Sequence, residues 1–224
     1  MSKGFFVSFE GGEGSGKTTQ IRLLNEYLQA KGIATLLTRE PGGNNCKLSE
    51  SIRAMLLNPD NKEMSYRTEF LLFLASRAQH IQEIIAPAME QNKVVLCDRF
   101  HDSTFVYQCH VRQAIKEGDF HLMNTWAVEY KGQSYFPDLT LMLDIAVQIG
   151  HSRALERNLK SKDSSEARFD NEQIEFHTKV NEGYRQRANK YPNRIYKVDA
   201  NENVENVHRQ IVRAFEAKYS YLGR

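Results

Sequence analysis

Cysteine is scarce in this 224-residue sequence. Cys46, Cys97 and Cys109 form no C-x-x-C pair, and none of the seven histidines stands at a zinc-like spacing from them. That excludes a disulfide framework and a structural zinc site, and it reads as reduced thiols in a cytoplasmic protein. No apolar run approaches the roughly 18–20 residues of a membrane span, so no membrane partner is expected. The start, Met1-Ser2-Lys3-Gly4-Phe5-Phe6, lacks the apolar core of a secretory signal and runs straight into strand-like sequence. An excess of one charge is missing too. Lys and Arg total 30 against 28 Asp and Glu, a formal +2 that gives no argument for nucleic acid. Repeats and low-complexity tracts are absent. What remains is a single domain over residues 1–224, able to bury roughly 70–75% of its unfolded surface without a staple.

Strand and helix patterns alternate along it. Continuous apolar runs at 5–10, 34–38, 94–97, 139–143 and 195–198 read as five buried strands. Helical spacing marks the stretch after residue 17, then 48–57, 65–91 with Pro87 as a kink, the region up to Trp126, 148–159, 171–189 and 204–217. A polar loop is expected between Trp126 and Pro137. The order predicts an α/β fold, a parallel five-stranded sheet covered by helices on both faces.

Gly11-Gly12-Glu13-Gly14-Ser15-Gly16-Lys17-Thr18 fits G-x-x-x-x-G-K-[ST] between the first strand and the first helix. Glycines let successive N–H groups converge on phosphate oxygens, and the helix N-terminus adds positive potential. Lys17 would reach the β and γ phosphates of a nucleoside triphosphate. Thr18 would join a Mg²⁺ shell, and Thr19 comes next in the first turn. Two strands end in a carboxylate, at Asp98 and Asp144. Asp98 is preferred for the metal because Arg99 follows it at once, pairing a metal ligand with a phosphate ligand. The D-x-x-G and N-K-x-D patterns of GTPase switches are absent. Instead, Arg39, Arg53, Arg77, Arg99, Arg153, Arg157 and Arg168 supply the cations needed to bring two phosphate groups together.

Four segments resemble the thymidylate kinase (dTMP kinase) family: Phe9-Glu10-Gly11 with the loop behind it, Thr38-Arg39-Glu40-Pro41-Gly42-Gly43, Leu72-Phe73-Leu74-Ala75-Ser76-Arg77, and Asp98-Arg99 through Tyr107-Gln108. The resemblance implies a nucleoside-monophosphate-kinase-like fold and the reaction ATP + dTMP → ADP + dTDP, with Mg²⁺. It also implies a homodimer, for which the apolar helix at 65–91 could serve. It places Glu13 on the sugar 3′-hydroxyl, Arg39 and Arg53 on the acceptor phosphate beside Pro41, and Phe73 against thymine. Arg77 would bond to O4, Ser103 and Gln108 would read the pyrimidine edge, and Tyr107 would exclude a 2′-hydroxyl. Lys17, Arg99, Arg157 and Arg153 would act on the transferring group, and no general base is needed because a phosphate with its second pKa near 6 is already anionic.

Some relatives carry an arginine inside the loop at the position of Gly14. Here that position is small, and arginines flank the polar stretch 160–166, which resembles the bacterial type with a mobile, arginine-bearing lid at about 150–170. Departures from the family are Cys109-His110-Val111-Arg112-Gln113 in place of G-G-x-R-G, which brings Cys109 within reach of sugar or base, Ala167 for an acidic residue, and Asn44-Asn45-Cys46 for a Thr-containing run. His101 and His110 are expected to be solvated or hydrogen-bonded. Kinases for dUMP or CMP and a regulatory ATPase are the rival readings.

Overall fold

The computed structural model describes residues 4–43, 45–160 (backbone only over 157–160), 169 and 172–221. The first strand, β1 (Phe5–Glu10), is buried along its whole length, as an unbroken apolar run bounded by glycine requires. After the glycine loop comes α1 (Lys17–Ala30), which turns Ile21, Leu24 and Leu28 inward. Next come β2 (Thr35–Arg39), α2 (Lys47–Leu57) and α3 (Tyr66–His80). Ser65 caps α3, its Oγ accepting from the Thr68 N–H at 3.1 Å.

The long helix expected over 65–91 is divided in the turn before Pro87. A π-helical segment at Ile81–Ile85 separates α3 from α4 (Ala86–Glu90). Pro87 follows at once in α4: it has no N–H for the Glu83 carbonyl one turn back, and the Ala86 N–H before it bonds the Ile81 carbonyl five residues back, the wider π-helical step. The next strand is β3 (Val94–Asp98). Beyond it the single helical stretch expected up to Trp126 divides into α5 (His101–Thr104), a π-helical segment Phe105–Val111 and α6 (Glu117–Val128). The expected polar loop contains a small hairpin, β4 (Glu129–Tyr130) and β5 (Gln133–Ser134). The chain continues through β6 (Leu139–Asp144), α7 (Val147–Lys160), α8 (Ile174–Lys190), β7 (Ile195–Asp199) and α9 (Val204–Tyr221).

The main sheet has five strands in the order β2-β3-β1-β6-β7, every neighbouring pair parallel. Side chains alternate across it. Phe5, Val7 and Phe9 face α1 and α9, where Phe5 meets Phe215 edge-on at 5.4 Å. Phe6 faces the other way, into Ile81, Ile85 and Phe100. Truncating a ring so enclosed costs about 3–5 kcal/mol. The register has a direct consequence for chemistry. Phe9 and Arg39 both lie level with Asp98, so the glycine loop, Arg39 and Arg99 leave the sheet side by side at the C-terminal ends of their strands. No helix among the described residues is long and apolar enough to cross a membrane.

Candidate active site

The glycine loop closes tightly because three of its residues adopt positive φ: Gly11 at 139°, Gly14 at 65° and Gly16 at 89°, the last capping α1. Gly14 rests on the first turn of α7. A Cβ on Gly14 would lie 2.1 Å from the Gly150 carbonyl oxygen, and one on Gly150 would lie 2.5 Å from that of Glu13. Lys17 folds back over the loop, its Nζ 3.2 Å from Gly11 O, 3.1 Å from Gly12 O and 3.4 Å from Ser15 Oγ. Burial, and then the nearby Arg99 cation, lower the pKa of this ammonium. An anion brought into the loop offsets both effects.

Beside the loop lies a cleft of about 670 Å³. Its walls include Glu13, Gly14, Ser15, Gly16, Lys17, Thr18 and Thr19 from the loop and α1, with Arg39 at the end of β2, Pro41 in the turn beyond it and Arg53 from α2. Phe73, Arg77, Asp98, Arg99, Ser103, Tyr107, Gln108 and Arg153 complete the group. Gly11 and Gly12 stand behind this wall, where their carbonyls hold Lys17 and, at Gly11, Arg99. Every other site residue named from sequence lines the one cleft, except Arg157. The Arg157 side chain and the whole of Arg168 lie outside the described residues, as does the stretch 161–168 of the expected lid.

Thr18 Oγ1 donates to Asp98 Oδ2 at 3.1 Å. A hydroxyl and a carboxylate at the mouth of a phosphate loop are hard oxygen donors that suit Mg²⁺, which prefers one or two protein oxygens plus phosphate and water. Asp144, the other strand-end carboxylate, pairs with Arg185 at 2.9 Å and is not part of the cleft wall. Arg99 has φ 65°, the left-handed region. Its Nη1 donates to Gly11 O at 3.0 Å, Ser103 Oγ at 3.2 Å and Tyr184 OH at 2.8 Å, and its Nη2 pairs with Glu13. Arg39 is held by Glu50 at 3.0 Å and Arg53 by Pro41 O at 2.8 Å.

In the same wall Phe73 is half-buried, and Tyr107 reaches Glu13 of the loop through its hydroxyl at 3.2 Å. Arg77 is only 1% exposed. Its guanidinium bonds Glu40 through Nε and Nη2, Thr104 through Nη2 and Asn124 through Nη1. One Nη1 N–H therefore has no partner among the described residues. Two expectations need correction. Cys109 does not approach the cleft but packs against Phe70, Leu74, Phe120 and Ala127. His101 is neither solvated nor hydrogen-bonded through Nδ1. It is buried against Phe100 and Phe136, and burial pushes its pKa well below the usual value. Ser103, which lines the cleft, donates to Glu10 Oε2 at 2.5 Å.

The layer behind the wall is missing from the sequence-based expectations. Glu10 is fully buried and accepts from the Phe100 N–H at 2.8 Å, from Ser103 and from Tyr184 OH at 3.3 Å. Burial, then the Asp102 charge, raise its pKa from 4.5 to about 7. A lone carboxylate ending an otherwise apolar strand was the available signal. Tyr184 comes from a polar helix that gives no such signal. Glu69 is likewise buried, taking the Gln108 amide at 2.9 Å, with Arg112 Nε 3.1 Å away.

The Thymidylate kinase family model matches residues 9–211. A thymidylate kinase of Clostridium novyi (strain NT) is 44% identical over 94% of this chain and 98% of its own length. One of Desulfovibrio desulfuricans is 45% identical over 98% of each. A crystal structure of thymidylate kinase from Ehrlichia chaffeensis superimposes with a TM-score of 0.70 at 31% identity, covering 94% of this chain and 98% of that one. With a phosphate loop, an aspartate–arginine pair and an aromatic-lined pocket in one cleft, and with these matches along nearly its full length, the chain is a kinase and belongs to the thymidylate kinase family.

Proposed function

We propose that the protein transfers the γ-phosphoryl group of ATP to dTMP, giving ADP and dTDP. The observation that carries this reading is the gathering of Lys17, Arg39, Phe73, Asp98 and Arg99 around one cleft, cations and an aromatic ring in the same wall. The acceptor oxygen is ionised at neutral pH, its second pKa being about 6, so the site needs no base. Arg39 and Arg53 orient the acceptor phosphate, and Phe73 stacks on the base. Lys17 and Arg99, with Arg153 and Arg157 from α7, offset the charge that gathers on the transferring group. Mg²⁺ held by Asp98 and Thr18 would neutralise further phosphate charge when bound. Tyr107, with its hydroxyl tied to Glu13, makes the wall beside the sugar rigid.

The chain is proposed to act as one domain with a closing lid at about 150–170, in the cytoplasm, without nucleic-acid or membrane partners. Leu71 on α3 and Leu122 and Trp126 on α6 are exposed by 51%, 74% and 77%, which favours a homodimer joined through these helices. The test is ADP release across a panel of nucleoside monophosphates, with light scattering for the dimer. A tenfold or greater preference for another acceptor overturns the assignment. ATP turnover that ignores every acceptor points to a regulatory ATPase.

A further inference from the structure

Gln108 is fully buried and lines the cleft, whereas Glu69 stands behind the wall. Gln108 Nε2 lies 2.9 Å from Glu69 Oε1. A carboxylate only accepts, so the amide face turned to it must be the NH₂. Since the two ends of a planar carboxamide point apart, Gln108 Oε1 is turned away from Glu69. That oxygen is buried and has no partner. An unpaired buried acceptor is unfavourable and is relieved by a donor entering the cleft. Arg77, which lines the same cleft, brings the complementary group in its one unpartnered Nη1 N–H. A donor and an acceptor on one pocket match the C4=O and N3–H of an imide base. They mismatch cytosine, whose C4 carries an amine and whose N3 accepts. Glu69 is paired in turn with Arg112, just past the π-helical segment, Nε to Oε1 3.1 Å.

Resting on the dTMP reading above, we propose that Glu69 is a positioning residue that sets base selectivity: by holding the Gln108 nitrogen it presents the Gln108 carbonyl to the ring N3–H that thymine has and cytosine lacks. A glutamine at position 69 can donate as well as accept, so it releases Gln108 to turn over and present its NH₂ instead.

The test is calorimetric binding of dTMP, dCMP and N3-methyl-dTMP, with turnover of the first two, for wild type and Glu69→Gln. Wild type is expected to favour dTMP over dCMP by about a hundredfold or more, as sites built around a hydrogen-bonding group do. In Glu69→Gln the ratio should fall by at least about tenfold, with the loss in KM for dTMP rather than in kcat. A role confined to stability would lower the melting temperature and leave the ratio alone. Wild type that does not distinguish dTMP from dCMP overturns the functional reading together with this one. A selective wild type with an equally selective Glu69→Gln overturns the role of Glu69 alone. Should the variant not fold, wild type decides: N3-methyl-dTMP should bind at least about thirtyfold more weakly than dTMP, and equal binding refutes the presented carbonyl.

Discussion

Glu10→Gln tests the layer behind the cleft through the pH dependence of stability. Glu10 takes up its proton at about 7 in the folded protein, against 4.5 when unshifted. Ionising it inside the fold is therefore harder by about 3 kcal/mol. Between these two pH values the folded state holds more protons than the unfolded one, so this group's contribution to stability is greatest below 4.5 and is lost as pH rises through 7. Glutamine has no such proton. It can accept from the Phe100 N–H as Glu10 does, and any fixed loss from the Ser103 and Tyr184 contacts does not depend on pH. The quantity to measure is the stability of wild type minus that of Glu10→Gln, by urea unfolding at pH 5 and pH 8. It should fall by about 2–3 kcal/mol across that interval, a relative midpoint shift of about 1 M urea. A wild-type profile parallel to that of the variant would show that Glu10 ionises as easily as a surface carboxylate, and would refute the account of its burial.

Four other outcomes are expected. Lys17→Ala should lower kcat by at least about a hundredfold to a thousandfold while dTMP affinity, by calorimetry, stays within a few fold; near-normal turnover removes Lys17 from the transfer step. EDTA should abolish turnover and spare dTMP binding, and Asp98→Asn should raise the Mg²⁺ concentration needed for half-maximal rate by about tenfold or more, since it removes one charged oxygen donor. Tyr184→Phe takes one acceptor from Arg99 without emptying space, so kcat should fall about tenfold with KM for ATP changed less than threefold; a change in KM alone would count against Arg99 being steered this way. Gly150→Ala forces a methyl against the Glu13 carbonyl 2.5 Å away, and should raise KM for ATP and lower the melting temperature by several degrees, read by scanning calorimetry.

Local signals carried the fold and the front of the site. Five apolar runs of strand length became the five strands, and the register of β1, β2 and β3 then brought Arg39 and Arg99 level with the glycine loop. Phe73, Tyr107 and Gln108, named from their motifs, reach the same cleft. The helix interruptions were less legible. Proline is the visible breaker, and the change of pitch at Ile81–Ile85 falls in the turn before Pro87, but sequence shows only that a breaker is present and not that the chain answers it with a π-helical turn rather than a kink. The second layer escaped for a different reason. Glu10, Glu69 and Tyr184 act through partners that are 93, 39 and 85 residues away in the chain. No window of sequence contains both ends of such a bond. Cys109 shows the converse error: adjacency to Gln108 suggested the cleft, but successive residues of a helical segment point to different faces, and this one packs against the core cluster that contains Phe70 and Phe120.

The contact between Gly14 and Gly150 bears on how this chain can change by descent. A side chain at position 14 meets the backbone of α7 at 2.1 Å, so an arginine there has no room until that helix is displaced. The helix so displaced is the one that brings Arg153 to the cleft. If Arg153 serves the transferring phosphate as proposed, an arginine at position 14 and the present seat of Arg153 exclude one another sterically. A lineage that has adopted the present packing cannot cross to the other by single substitutions that each preserve activity. On the role proposed for Arg153, it must first move that guanidinium out of the cleft, which gives a mechanical reason for the two arrangements to persist as separate branches.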